Sequence, residues 1–157
     1  MKAAVLTVSD RCSQGLAQDR SGPQIEERLR QAGWDVTVSL IVPDEEELIE
    51  RTLVEWADHR QVDLILTTGG TGFSHRDVTP EATLEAVDRS APGIAEALRA
   101  EGMKQTATAC LSRGEAGLRG KTLIINLPGS PKAVKEGMDF LLPILPHALE
   151  MISGKGH

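Results

Sequence analysis

The sequence predicts an α/β fold, a mainly parallel sheet with helices packed on both faces. Three observations carry that reading. Strand-like and helix-like segments alternate from end to end. Residues 62–66 and 121–127 are short apolar, β-branched-rich runs of strand length, suited to strands covered on both sides. The unusual residues of the chain, its Ser-Asp, Pro-Asp, Gly-rich and Pro-Gly-Ser-Pro segments, follow directly after strand-like runs. Such folds bind ligands beyond the carboxyl ends of their strands.

Residues 3–8 form the first strand, which ends at Ser9-Asp10, and a loop occupies residues 11–20. Ser21 caps the first long helix, with Gln24 three residues on completing a capping box. Ile25 and Leu29 give that helix an inner face, and Gly33 ends it. Val36, Val38, Leu40 and Val42 make a second strand with period two. The next helix opens at Pro43-Asp44-Glu45-Glu46-Glu47, with Asp44 and Glu47 in capping-box relation; Leu48, Ile49, Leu53 and Trp56 recur at helical spacing. Residues 62–66 run straight into Thr67-Thr68-Gly69-Gly70-Thr71-Gly72.

Thr79 caps a further helix with Pro80 at its first position, and Leu84 and Val87 face inward. Another helical piece starts near Pro92 and carries Ile94 and Leu98, while residues 106–111 read as a strand of small side chains. After the strand at 121–127, Pro128-Gly129-Ser130-Pro131 turns the chain into a last helix bearing Val134, Met138, Leu141 and Leu142. Pro143 and Pro146 should kink or interrupt it before Leu149 and Ile152.

Length and composition narrow the function. At 157 residues one domain, 1–157, is expected. A net charge of −6 with four aromatic residues argues against a nucleic-acid binder, which needs a basic surface and stacking faces. No apolar run approaches the length of a membrane span, and the first eight residues are too short, then too polar, for a secretory leader. Cys12 and Cys110 make neither a disulfide framework nor a zinc site. A cytoplasmic setting follows. An anionic ligand must then be held by a local site, built from backbone N–H groups, a few cations or a metal.

Gly69-Gly70-Thr71-Gly72 after a buried strand lets the backbone approach an anion. It is neither a P-loop nor a dinucleotide fingerprint, lacking the following Lys-Ser/Thr pair and the third glycine, where His75 stands. Asp77 precedes a helix already capped by Thr79, so it is surplus to that role, whereas capping alone accounts for Asp44. Together the two acids stand where carboxylates holding Mg²⁺ against a polyphosphate would stand. Ser112-Arg113 and Lys121 bracket a Gly-rich loop that could carry a cation as a mobile cover. Ser130 caps the last helix, whose open N-terminus is an anion site, with Lys132 adding charge. His75 is a possible ligand contact; His59, His147 and His157 read as solvated, and Cys12 as inert. There is no GxSxG nucleophile elbow.

Taken in order, Val8-Ser9-Asp10, Asp19-Arg20-Ser21-Gly22, Val42-Pro43-Asp44-Glu45, the Gly-rich loop through Phe73, Arg76-Asp77-Val78-Thr79-Pro80-Glu81-Ala82, Leu111-Ser112-Arg113 and the run from Gly120 through Pro131 resemble the molybdopterin adenylyltransferase family. This is the MogA type of molybdenum cofactor biosynthesis, related to the G domain of gephyrin, and the resemblance covers nearly the whole chain. It implies a three-layer α/β/α sandwich, usually assembled as a homotrimer. It also implies Mg²⁺-dependent joining of molybdopterin to ATP with release of pyrophosphate. By position the family's two important aspartates fall on Asp44 and Asp77. Ser9, Asp10, Thr68, Gly69, Gly70, Thr71, Gly72, Arg76, Ser112, Arg113, Pro128, Gly129 and Ser130 form the implied pterin- and nucleotide-binding set. With no fused domain, metal insertion is expected to fall to a separate protein. Two rivals stand beside this reading. One is a non-catalytic MoaB-like binding or scaffold module, against which the paired P-D-E and R-D-V-T-P segments speak. The other is a pyrophosphatase-like relative of the competence-associated type, which usually carries further domains.

Overall fold

The computed structural model describes residues 1–155. Among the described residues six strands form one sheet in the order β2-β1-β3-β6-β5-β4. Strands β1 (Lys2–Val8), β2 (Asp35–Val42), β3 (Leu64–Thr68) and β6 (Thr122–Leu127) run parallel, and β5 (Ala116–Arg119) and β4 (Arg89–Ser90) close one edge antiparallel. Pairing of β1 with β2 shifts register once. Ala3 faces Val36 but Ala4 faces Val38, so Thr37 is an extra residue on β2, a bulge.

Alternation along the strands sorts the core into two layers. Ala3, Val5, Leu64, Leu66, Leu123 and Ile125 face one side, where Ile25 and Leu29 of α2 (Ser21–Gln31), Ile94 and Leu98 of α5 (Pro92–Met103) and Val134, Met138 and Leu141 of α6 (Pro131–Ile152) cover them. Ala4, Leu6, Ile65 and Ile124 face the other, under Ile49, Leu53 and Trp56 of α3 (Glu46–Asp58) and Ala82 and Ala86 of α4 (Thr79–Ala86). The result is the expected three-layer α/β/α sandwich. A short α1 (Asp10–Ser13) follows β1. No helix among the described residues is long and apolar enough to cross a membrane.

Several local expectations are corrected. Ser21 is already inside α2 and does not cap it; its hydroxyl donates to the Gly129 carbonyl at 2.7 Å, while Asp19 accepts from the Gly22 N–H at 3.0 Å and so takes the capping role. Thr79 likewise sits within α4, and Leu84 points outward. Residues 106–111 are not a strand: Ala107–Leu111 form a 3-10 turn. The Gly-rich stretch read as a mobile cover contains β5, in which a Cβ on Gly117 would approach the Arg89 carbonyl to 2.7 Å. The hairpin needs a bare backbone there. Helix α6 is uninterrupted over 22 residues. Pro143 and Pro146 lie on its exposed side, where water can satisfy the carbonyls their missing N–H groups leave open.

Candidate functional site

Because β1, β2, β3 and β6 are parallel, the segments after Val8, Val42, Thr68 and Leu127 emerge at one end of the sheet. They are stitched together by polar bonds. Thr68 Oγ1 donates to the Pro128 carbonyl at 2.6 Å, and the Gly69 N–H donates to the Leu127 carbonyl at 3.2 Å. Ser9 Oγ accepts from the Cys12 N–H, and Ser130 Oγ accepts from the Ala133 N–H, capping α6 as expected.

Residues 69–72 are bound with one polarity. Gly69 and Gly70 have positive φ, 96° and 68°. The Gly69 carbonyl accepts from Thr79 Oγ1, Gly70 from the Thr79 N–H, Thr71 from the Arg113 N–H and Gly72 from Arg113 Nε, at 2.8–3.2 Å. All four carbonyls are thus turned inward. The N–H groups of Gly70, Thr71, Gly72 and Phe73 donate to no group among the described residues, which is the arrangement of an anion-binding nest.

Two carboxylates flank this nest. A Cβ placed on Gly70 would lie 3.0 Å from Asp44 Oδ1, and one on Gly72 would lie 2.8 Å from Asp77 Oδ2. Asp44 is not a helix cap: α3 begins at Glu46 without a side-chain cap bond. Its Oδ2 accepts instead from the Asp10 N–H, while Asp10 Oδ1 accepts from the Asp44 N–H, both at 2.9 Å. Asp77 Oδ2 closes the loop on the Ser74 N–H at 3.0 Å.

The charges are unequal. Burial pushes the Asp44 carboxyl above its ordinary value, and the negative Asp10 and Asp77 add to this; the Asp10 N–H bond and the Arg76 charge only partly oppose it. Asp10 moves the other way, chiefly because Arg76 donates to both its oxygens at 3.0 Å, helped by the Asp44 N–H. Arg76 therefore enters the site already engaged.

Arg113 is committed still more completely. Besides Gly72, it donates to the Asp77 carbonyl at 2.7 Å and to both oxygens of Glu81, at 2.7 and 3.1 Å. It is a brace between the Gly-rich loop and α4, not a cation on a swinging cover. Lys121 precedes the amino end of β6. Since Leu127 ends that strand at the site, Lys121 lies roughly 20 Å away and carries no charge to it. Lys132 and His75 are exposed, as are His59 and His147, whereas His157 lies outside the described residues. Cys12 is half-buried and lines the site.

Two cavities of about 240 Å³ each lie on either side of the turn at residues 128–131. One is lined by Ser9, Cys12, Asp19, Ser21, Gly69 and Gly129. The other is lined by Leu98, Thr108, Ser112, Pro128, Ser130 and Glu136, among others. Of the predicted set, Ser9, Thr68, Gly69 and Gly129 line the first cavity and Ser112, Pro128 and Ser130 the second; Asp10, Asp44, residues 70–72, Arg76, Asp77 and Arg113 line neither and are tied together by the contacts above.

Among the described residues no three His, Cys, Asp or Glu side chains converge on a metal site. Asp44 Oδ1 and Asp77 Oδ1 accept no hydrogen bond from the described residues. Two such oxygens beside free N–H groups fit a hydrated divalent cation that arrives on a polyphosphate, not one caged by protein alone.

Residues 4–147 match the family described as "Probable molybdopterin binding domain". The chain belongs to that family. Within it, the chain is 43% identical over 152 residues to the molybdopterin adenylyltransferase of Helicobacter pylori strain 26695, covering 96% of this chain and 86% of that one. It is 46% identical over 149 residues to the Drosophila melanogaster molybdenum cofactor synthesis protein cinnamon, spanning 94% of this chain but only 25% of that longer protein. The crystal structure of the molybdopterin biosynthesis enzyme MoaB of Thermus thermophilus superposes with a TM-score of 0.92 at 49% identity, covering 98% and 97% of the two chains.

This member of the molybdopterin-binding family also uses residues that sequence reading passed over. Asp19 accepts from Thr7 Oγ1 at 2.7 Å as well as from Gly22, and lines the first cavity. Glu81 anchors Arg113, and Arg99 holds the Ser112 and Gly114 carbonyls at 3.3 and 2.8 Å. Asp19 and Glu81 stand inside segments that carry the resemblance, but Thr7, Arg113, Ser112 and Gly114, on which these three residues act, lie 12 to 32 residues away, so no local pattern assigns the roles.

Proposed function

We propose that this chain is a molybdopterin adenylyltransferase of molybdenum cofactor biosynthesis, joining AMP from ATP to the terminal phosphate of molybdopterin. A phosphate oxygen of molybdopterin attacks the α-phosphorus of ATP, the bond from that phosphorus to the bridging oxygen breaks, and pyrophosphate leaves. The nucleophile is already ionised at neutral pH, so the protein must position and neutralise, without a covalent intermediate. The observation that carries the reading is the nest at residues 70–73, with its carbonyls tied inward and its amides free, flanked by Asp44 and Asp77. The triphosphate fits against those amides. Asp44 and Asp77 would hold Mg²⁺, which supplies neutralising charge to the polyphosphate. Ser9, Thr68 and Gly129 shape the adjoining cavity, and Arg113 and Arg76 fix the loops.

Chain-length similarity to a named adenylyltransferase supports the same reading. A single domain spanning 1–157, a homotrimeric assembly, a cytoplasmic setting and hand-over of the product to a separate molybdenum-insertion protein belong to this proposal. Purified protein given molybdopterin, ATP and Mg²⁺ should release pyrophosphate and yield a pterin product heavier by one AMP in the mass spectrum. A chelator should stop the release, and Mg²⁺ should restore it. An unchanged rate in Asp77→Asn would remove Asp77 from the mechanism. The rival reading is a binding-only module of the same fold. It requires molybdopterin binding with no pyrophosphate released.

A further inference from the structure

The free amides of residues 70–73 owe their direction to two clamps. The peptide bonds of the described residues are all trans, and in a trans peptide the carbonyl and the following N–H point in opposite directions. A carbonyl held inward therefore aims the next N–H outward. Thr79 holds the Gly69 carbonyl through Oγ1 at 3.0 Å and the Gly70 carbonyl through its N–H at 3.2 Å, and so aims the amides of Gly70 and Thr71. Arg113 holds the Thr71 carbonyl through its N–H at 2.8 Å and the Gly72 carbonyl through Nε at 2.9 Å, and so aims those of Gly72 and Phe73.

Two of these four bonds come from backbone N–H groups, which any residue but proline would offer. The other two need a particular side chain, and the Thr79 hydroxyl acts where the chain resists least. The peptide it holds lies between two glycines, both with positive φ, so no Cβ on either side bars that peptide from turning over. Turned over, it would point the Gly69 carbonyl into the nest and withdraw the Gly70 N–H. A polyphosphate would then lose a donor and face an acceptor.

The hydroxyl has no competing duty in its helix. Thr79 is the first residue of α4, and the cap position, Val78, makes no side-chain cap bond. The Thr79 side chain is fully buried. A Cβ on Gly70 would collide with its Oγ1, so the hydroxyl lies against the Gly70 backbone, out of reach of solvent. Building on the proposed function, we infer that Thr79 is a positioning residue whose hydroxyl locks the Gly69–Gly70 peptide with the Gly70 amide facing the polyphosphate. It acts through that peptide and does not itself touch the substrate.

The test uses the full chain with inorganic tripolyphosphate as the probe. Thr79→Ser and Thr79→Ala differ from each other only by the hydroxyl, while Thr79→Val keeps the branched shape without it. T79S should bind tripolyphosphate within about threefold of wild type, and T79A and T79V about tenfold or more weakly. A side chain that only filled space would rank the other way, Val ahead of Ser, because serine gives up a buried methyl group. Amide NMR spectra supply a second readout. Tripolyphosphate should shift the resonances of residues 70–73 in wild type; in T79V the Gly70 response should vanish while Gly72 and Phe73, aimed by Arg113, keep theirs. Should T79V fail to fold, the Ser and Ala variants decide. Equal losses in T79S and T79A overturn the inference, as do an undiminished Gly70 response in T79V and a wild-type protein that binds no tripolyphosphate. Wild-type protein that binds tripolyphosphate but releases no pyrophosphate from ATP and molybdopterin overturns the proposed function and leaves the role of Thr79 standing. Variants that all bind and release pyrophosphate like wild type overturn the role of Thr79 alone.

Discussion

The Asp10 N–H donates to the Asp44 carboxylate while the Asp44 N–H donates to the Asp10 carboxylate, both at 2.9 Å. This exchange fixes the segment after β1 against the segment after β2. It uses one oxygen of Asp44 and leaves the other free beside Gly70. Arg76 supports the exchange by holding Asp10, so the electrostatic cost of the acid cluster falls on Asp44.

Asp44→Asn is therefore expected to separate stability from activity. Because the folded-state value of Asp44 is raised, the unfolded chain releases this proton first as pH climbs past 3.8, and folding stability is lost until the folded group ionises too. Above both values the charge destabilises the fold. The variant should melt higher than wild type at neutral pH, with the gain vanishing below pH 3.8, while pyrophosphate release collapses. Paired melting curves at the two pH values check the sign. A variant that melts lower at neutral pH contradicts it.

Arg113→Lys should keep the fold and slow the reaction. Lysine cannot serve the Gly72 carbonyl, the Asp77 carbonyl and Glu81 together, as the guanidinium does. Asp77 and the nest then lose their common brace. A fall in kcat of about 10–100-fold with KM for ATP nearly unchanged is the expected split. A rise in KM alone would make Arg113 a direct substrate contact instead.

Asn126 is a structural residue under the site. Its Nδ2 donates to Thr67 and Thr83, both at 2.9 Å, and its Oδ1 accepts from the Glu115 N–H at 3.0 Å, all with the side chain 3% exposed. Asn126→Asp exchanges a double donor for a buried charge and should cost on the order of 2–4 kcal/mol in urea denaturation.

The glycines give a graded comparison. Gly69 has positive φ, and a Cβ there would run into the Val8 carbonyl; Gly120 has φ 55° with nothing within 4 Å. Gly120→Ala should cost about 1 kcal/mol, the backbone strain alone. Gly69→Ala adds a collision and should cost about 3 kcal/mol or more. Equal costs would mean that the loop simply moves away from β1.

Much of this was legible in the sequence. The alternation of Ala3, Ala4, Val5 and Leu6 between two helix layers follows from strand geometry, and the Gly-rich loop announced a close backbone approach. What was misread is instructive. Asp44 and Glu47 spell a capping box, and Ser21 and Gln24 another, yet neither forms, because Asp10 and Gly129 compete for the same side chains from segments distant in sequence. The two antiparallel strands were hidden because β4 has only two residues and β5 is built around Gly117, too short for a periodic signal. The second cavity cannot be read from spacing at all, since it exists only once α5, the 3-10 turn and α6 meet.

The extra residue at Thr37 counts for more than its place at the far end of the sheet suggests. Before it the pairing offset between β1 and β2 is 33 residues, as in Ala3 with Val36; after it the offset is 34, as in Val8 with Val42. Asp10 and Asp44 continue that second offset. Thr37 lies roughly 23 Å from Asp44 along the strand, and its hydroxyl reaches the Ala3 carbonyl at 3.5 Å. It works like a shim. Remove one residue there, and either β2 turns every side chain to the wrong face or Asp44 arrives one step out of phase with Asp10.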